Sequence, residues 1–164
     1  MSVKPKKKRT RKANIIVEET NQIPAILEQL KELIKNEVYV GVFSDDNELA
    51  QVAAIQEYGS VKKGIPERSF LRAGMVKGSA KISKIVRNGI NGVVENGEDV
   101  QAFMSAIGEI AIDRVTTYFD KLQDPPLKPE TIARKKDRNT KPLINTNQMR
   151  EAIQFEVRPK SAKK

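Results

Sequence analysis

The sequence predicts an α+β fold: a small mixed sheet packed with about four helices, preceded by a disordered basic arm. Three observations lead there. Apolar residues recur at 3–4 spacing over long segments, the mark of amphipathic helices. Short β-branched or alternating runs stand near 14–20, 38–43 and 153–158, the mark of strands. The two kinds are interleaved along 164 residues, the length of one domain with material left for tails.

In chain order, residues 1–13 carry seven bases (Lys4, Lys6, Lys7, Lys8, Arg9, Arg11, Lys12) and no acid. Their apolar residues are Met1, Val3 and Ala13, too little surface to order an arm by itself. Ile15-Ile16-Val17 reads as the first strand. From residue 23 to 36, Ile23, Ile26, Leu27, Leu30, Leu33 and Ile34 share one helical face, with Pro24 in the first turn and Thr20 or Asn21 as cap. The almost wholly apolar run at 38–43 predicts a buried strand. Asp45 and Glu48 have capping-box spacing for a helix whose face holds Leu49, Val52, Ala53 and Gln56 and which stops at Gly59.

Residues 60–69 are turn-rich. Leu71, Met75, Ile82, Ile85, Val86 and Ile90 then return to helical spacing. Gly74 and Gly78 each cost about 1 kcal/mol relative to Ala and favour a frayed or interrupted helix; the alternative is close approach of another backbone. Asn96-Gly97 marks a turn, and Asp99 caps a long helix to Leu122, with Phe103, Tyr118 and Phe119 expected in the core. Pro125-Pro126 breaks it. A polar, basic mobile loop is expected over about 124–142, then a short helix near 146–152 and a last strand with alternating Ile153, Phe155 and Val157. The domain spans 14–159, and 160–164 form a basic tip.

Net charge is +9. The arm and tip hold ten of the 30 bases, leaving 20 against 21 acids, so the body carries −1. Within the body the signs segregate. Nine acids face two lysines between residues 18 and 57, and eight bases face Glu67 alone between 58 and 94. Such blocks suit a subunit with faces of opposite sign, able to contact copies of itself head to tail.

The chain has no Cys and no His, so disulfides, thiolate metal sites and the commonest catalytic base are all missing. No apolar run approaches the ~20 residues of a membrane span, and the charged start is not signal-like, which predicts a soluble protein made inside the cell. Asp45-Asp46 lacks a third metal ligand and reads as a loop with a cap. Lys62 and Lys63 between Gly59 and Gly64 fit no phosphate-loop spacing. Neither enzyme, metal site nor cofactor is expected.

Four segments, in order, resemble the neck or tail-completion proteins of tailed bacteriophages, a virion-morphogenesis family. They are Val40-Gly41-Val42-Phe43 followed by Ala53-Ala54-Ile55-Gln56-Glu57-Tyr58-Gly59-Ser60; Ile65-Pro66-Glu67-Arg68-Ser69-Phe70-Leu71-Arg72; Pro125-Pro126-Leu127-Lys128-Pro129-Glu130-Thr131-Ile132-Ala133-Arg134-Lys135; and Lys141-Pro142-Leu143-Ile144-Asn145-Thr146-Asn147-Gln148-Met149-Arg150. Ser69 stands where the family often has Pro, and Asn145 and Asn147 where it has Asp and Gly.

The resemblance implies a non-enzymatic structural subunit of the virion neck, assembled in the host cytoplasm. It would form a ring with copies of itself, a hexamer by resemblance, between head-completion or connector proteins and tail terminator or tail-tube proteins. The candidate interface residues are Tyr58, Gly59, Ile65, Pro66, Phe70, Leu71, Arg72, Pro125, Pro126, Leu127, Arg134 and Lys135, although Phe70 and Leu71 can equally anchor their loop to the core. The arm bases are candidates for DNA in the channel or for an acidic partner. The competing class is a sequence-nonspecific nucleic-acid-binding protein using the arm and the basic cluster Arg134, Lys135, Lys136 and Arg138 as phosphate contacts; it calls for a basic face that a body of charge −1 does not suggest.

Overall fold

A computed structural model describes residues 21–43, 47–136 and 138–160. The arm, the expected strand at 14–20, the Asp45-Asp46 pair and all of the tip beyond Lys160 lie outside the described residues.

The element order is α1 (Ile23–Lys35), β1 (Asn36–Val42), α2 (Asn47–Tyr58), α3 (Leu71–Asn96), α4 (Val100–Lys121), α5 (Pro129–Arg134), α6 (Gln148–Glu151) and β2 (Ile153–Pro159). This is an α+β fold, and its described sheet is the antiparallel pair of β1 and β2. Opposite pairs Val38–Val157, Val40–Phe155 and Val42–Ile153 put the apolar side chains on one face, against the helices. The β1 run is half-buried rather than fully buried, because a single sheet layer leaves its other face to Tyr39 and Glu156. Arg158 lies over the rings of Tyr39 and Phe43 there.

The two long helices α3 and α4 form an antiparallel hairpin at the centre. Gly97 turns the chain between them at φ 69°, and the Asp99 side chain accepts from the Gln101 N–H as the expected cap. Contrary to the expectation of a frayed helix, α3 runs unbroken through Gly74 and Gly78, and both glycines are buried. The reason is close packing. A Cβ at Gly74 would lie 3.0 Å from the Val115 Cα, and one at Gly78 would lie 2.6 Å from the Arg114 Cβ. Packing of α4 at this separation outweighs the propensity cost.

One apolar cluster gathers Ala53, Phe70, Val115, Phe119, Leu122, Leu143, Met149 and Ile153, with Phe70 edge-on to Phe119 at 5.3 Å between centroids. A second gathers Val93, Val100 and Met104 with Leu33, Val38 and Phe103. Helix α1 is strongly amphipathic yet has no fully buried residue. Its Leu33 side packs inward, while Ile23, Leu27 and Ile34 remain 63, 49 and 67 % exposed.

Gly78→Ala tests the helix packing. Alanine favours helix by about 1 kcal/mol, yet overpacking against Arg114 costs typically 1–3 kcal/mol, so a net loss of about 1 kcal/mol in urea unfolding is expected. A gain would mean that the helices are not in this close contact.

Candidate interface around Glu57 and Arg68

The four resemblance segments come together at the N-terminal end of α3. Helix α2 carries Glu57 on its inner side, four residues after Ala53 and eight after Leu49, so an acid occupies an inward position of the apolar stripe. Its side chain lies directly beneath the first turn of α3. One carboxylate oxygen accepts from the Ser69 Oγ at 2.6 Å and the Arg72 N–H at 3.1 Å. The other accepts from the Phe70 and Leu71 N–H groups at 2.8 and 2.9 Å. The first N–H groups of any helix lack intrahelical partners and carry the positive end of its dipole. Glu57, 4 % exposed, supplies acceptor and charge together, in place of a local cap that Phe70 cannot provide.

Arg68 is the second buried charge, 5 % exposed. Its Nε donates to the Pro125 carbonyl at 2.8 Å, its Nη2 to the Pro126 carbonyl at 3.0 Å, and its Nη1 reaches the Gln56 Oε1 at 3.4 Å. Its backbone N–H donates to the Gln56 carbonyl at 2.7 Å. The guanidinium fork thus ties the stretch leaving α4 to the end of α2, and burial lowers its pKa. Pro125 and Pro126 offer carbonyls while having no N–H to satisfy. The Asp124–Pro125 peptide is cis.

Between Glu57 and Arg68 the chain makes a small hairpin. Ser60 and Ile65 exchange backbone hydrogen bonds at 2.8 and 3.0 Å, and Gly59 and Gly64 take positive φ. A Cβ on Gly59 would fall 2.8 Å from the Glu67 nitrogen, so the position requires glycine on both counts. The hairpin projects: Val61 is fully exposed and Tyr58 is 70 % exposed, with Arg72 over the Tyr58 ring and paired with Glu67.

The stretch expected to be a mobile loop contains a short helix and several hydrogen bonds. Pro129 opens α5, the Lys135 Nζ donates to the carbonyls of Lys141 and Ile144 at 2.7 and 2.5 Å, and Pro142 and Leu143 are buried. Helix α6 is fastened to α4 by Arg150, whose Nε and Nη2 bridge both oxygens of Asp120 at 2.8 and 2.9 Å. These hydrogen bonds hold the Asp120 carboxyl below its usual range. Asn147, standing where the resemblance has Gly, takes a positive φ of 59°, which Asn tolerates better than most residues.

Segments from α2, the 127–135 stretch and the 142–149 stretch enclose an open groove of about 460 Å³. Leu49, Val52, Leu127 and Met149 give it an apolar floor, and Arg134 and Lys135 line one side. A second, shallower groove of about 630 Å³ runs beside the hairpin, lined by Tyr58, Ile65, Pro66 and Lys128.

Of the expected interface residues, Tyr58, Pro66, Arg72, Pro126 and Arg134 are exposed; Gly59, Ile65, Leu71, Pro125, Leu127 and Lys135 are half-buried. Phe70 has to be removed from the surface: it is fully buried against Phe119 in its own core, where the loop is anchored. The arm bases lie outside the described residues. Neither Glu57 nor Arg68 stands out in the sequence as a site residue; the signal for Glu57 is a charge at an inward helical position, and Arg68, in the loop before α3, has none of that kind. Among the described residues no group of three acids, Cys or His comes together as a metal site, and no helix is long and apolar enough to cross a membrane. No protein-family model, curated protein or solved structure matches the chain.

Removing the Glu57 carboxylate leaves three N–H groups and a hydroxyl without their acceptor in a buried place. Glu57→Ala is expected to cost about 3 kcal/mol or more in urea unfolding, and Glu57→Gln less, because one oxygen acceptor remains. A loss below about 1 kcal/mol for the alanine variant would contradict the cap. The Asp120–Arg150 pair sets a pH dependence. A depressed carboxylate pKa adds stability that is complete above the ordinary value of about 4 and is lost as pH falls through the lower folded value. Asp120→Asn should flatten that part of the acid limb by about 1 kcal/mol or less, since the pair is partly exposed. An unchanged acid limb would show that the pair makes no net contribution.

Proposed function

We propose that this chain is a non-enzymatic structural subunit of a tailed-phage neck, acting in head–tail joining or tail completion as a ring of identical copies. The observation that carries the reading is the convergence of the four resemblance segments on one end of α3. There Glu57 and Arg68 fasten three of them together, and the fourth completes the groove and adds Leu143 and Met149 to the same core. Residues far apart in sequence serve one purpose: they hold a projecting hairpin and an adjoining groove in fixed relation. That is a requirement of a surface that docks, and every one of the fixed groups is structural rather than reactive.

The exposed apolar stripe of α1 also supports self-association. Three large aliphatic side chains on one face invite burial against a neighbour. Copies of the chain, head-completion or connector proteins, and tail terminator or tube proteins are the proposed partners, and the virion neck is the proposed location.

The deciding experiment is electron microscopy of lysates from an induced lysogen lacking this gene. Filled heads beside separate tails, or tails with aberrant upper ends, are expected; intact infectious particles in normal number would overturn the role. For the ring, Leu27→Asp with Ile34→Asp should shift native mass toward monomer with the far-ultraviolet dichroism unchanged. An unaltered oligomer would exclude α1 from the interface.

A further inference from the structure

A body charge of −1 conceals a segregated surface. Many of its acids are engaged: Glu57 beneath α3, Glu67 with Arg72, Asp120 with Arg150, Glu156 with Arg158 and Glu37 with Lys160. Between Lys77 and Asn88 the outward face of α3 has none; the next acid on that line is the exposed Glu95, about 12 Å of helix axis beyond Arg87. Lys77, Ala80, Lys81, Lys84, Arg87 and Asn88 are all exposed. At about 100° per residue they fall within an arc of roughly 120°. They cover about 16 Å of helix axis at about 1.5 Å per residue. The Lys77 ammonium lies 4.4 Å from the Tyr118 ring centroid, which fixes that end of the row, and the Lys81 Nζ lies 3.8 Å from an exposed Asp113 carboxylate oxygen on α4.

We infer that this face of α3 binds duplex DNA through its phosphates, without sequence preference. The four cations succeed one another at rises of about 6, 4.5 and 4.5 Å, and duplex DNA presents a charge for about every 1.7 Å of its axis. Between them stand a methyl group and an amide, which let a backbone approach. A protein partner fits this surface poorly, since interface cores exclude Lys and depend on aromatic or aliphatic anchors, and the arc holds neither. An anionic membrane fits no better, for there is no large apolar side chain in the arc to insert. Single strands lack an aromatic platform there. The inference is independent of the neck reading: it requires neither a ring nor a virion.

The test is a titration of the full chain with a short random-sequence DNA duplex between ~50 and ~200 mM salt. Two full-length variants separate the sources of charge. One carries Lys77→Gln, Lys81→Gln, Lys84→Gln and Arg87→Gln; the other has all seven arm bases changed to Gln. With four phosphate contacts at about 0.9 each, the α3 variant should lower the slope of log K against log salt by about 3 to 4. Its thermal unfolding should be unchanged, and the arm variant should lose only a separate share. Wild-type affinity and slope in the α3 variant would overturn the inference. So would absence of binding by the unaltered chain at ~50 mM salt, or loss of self-assembly in the α3 variant with DNA binding intact.

Discussion

The rest of the structure depends on one buried carboxylate. Glu57 accepts four hydrogen bonds at the start of α3, and through them the last turn of α2 is fixed to the first turn of the longest helix. A helix N-terminus buried without acceptors is unstable, and here the loop residue Phe70 has no side chain able to serve. Because the acceptor comes from another element, capping the helix also sets tertiary geometry. Phe70 is thereby directed against Phe119, and Arg68, two residues earlier, reaches the carbonyls of Pro125 and Pro126. Two buried side chains of opposite charge thus join α2, α3 and the end of α4, each satisfied by hydrogen bonds rather than by the other.

The α3–α4 hairpin supplies the frame on which that joint is built. Glycines at 74 and 78 let α4 approach until its Cα and Cβ atoms stand where side chains would otherwise be, and Gly108 does the same on the sheet side, where the Phe155 ring occupies the space of a Cβ. Small residues at helix crossings bring backbones close and increase dispersion contact along the whole length. Rigidity at the centre leaves variety to the periphery: the projecting hairpin, the groove beside α5, the apolar stripe of α1 and the cationic face of α3.

Those peripheral surfaces differ in chemistry, which argues for more than one kind of contact. The α1 stripe is aliphatic, the α3 face is cationic and free of anchors, and the groove combines an apolar floor with Arg134 and Lys135 at one side. The proposed packing against copies of the chain and the proposed contact with DNA call for such a division, because apolar burial rewards complementary shape while phosphate attraction tolerates sliding.

Much of the fold was legible from periodicity alone. The faces of α1, α2 and α4, the alternation of β2, the Asp99 cap and the Asn96-Gly97 turn are local properties, fixed by the 3.6 and 2 residue repeats and by side chains acting on their own backbone. Net charge and its segregation by sequence block were equally legible, but neither could separate acids spent as caps and ion pairs from bases left on one helix face. The sequence alone therefore determined α1, β1, α2, α4, α6 and β2, the absence of Cys and His, and the order of the four segments. Tertiary structure decided that Gly74 and Gly78 are packing sites rather than breaks, that Phe70 is core rather than surface, and that Glu57 and Arg68 are the joint. Each of those depends on what an unrelated part of the chain brings within a few ångströms, and no local repeat carries that information.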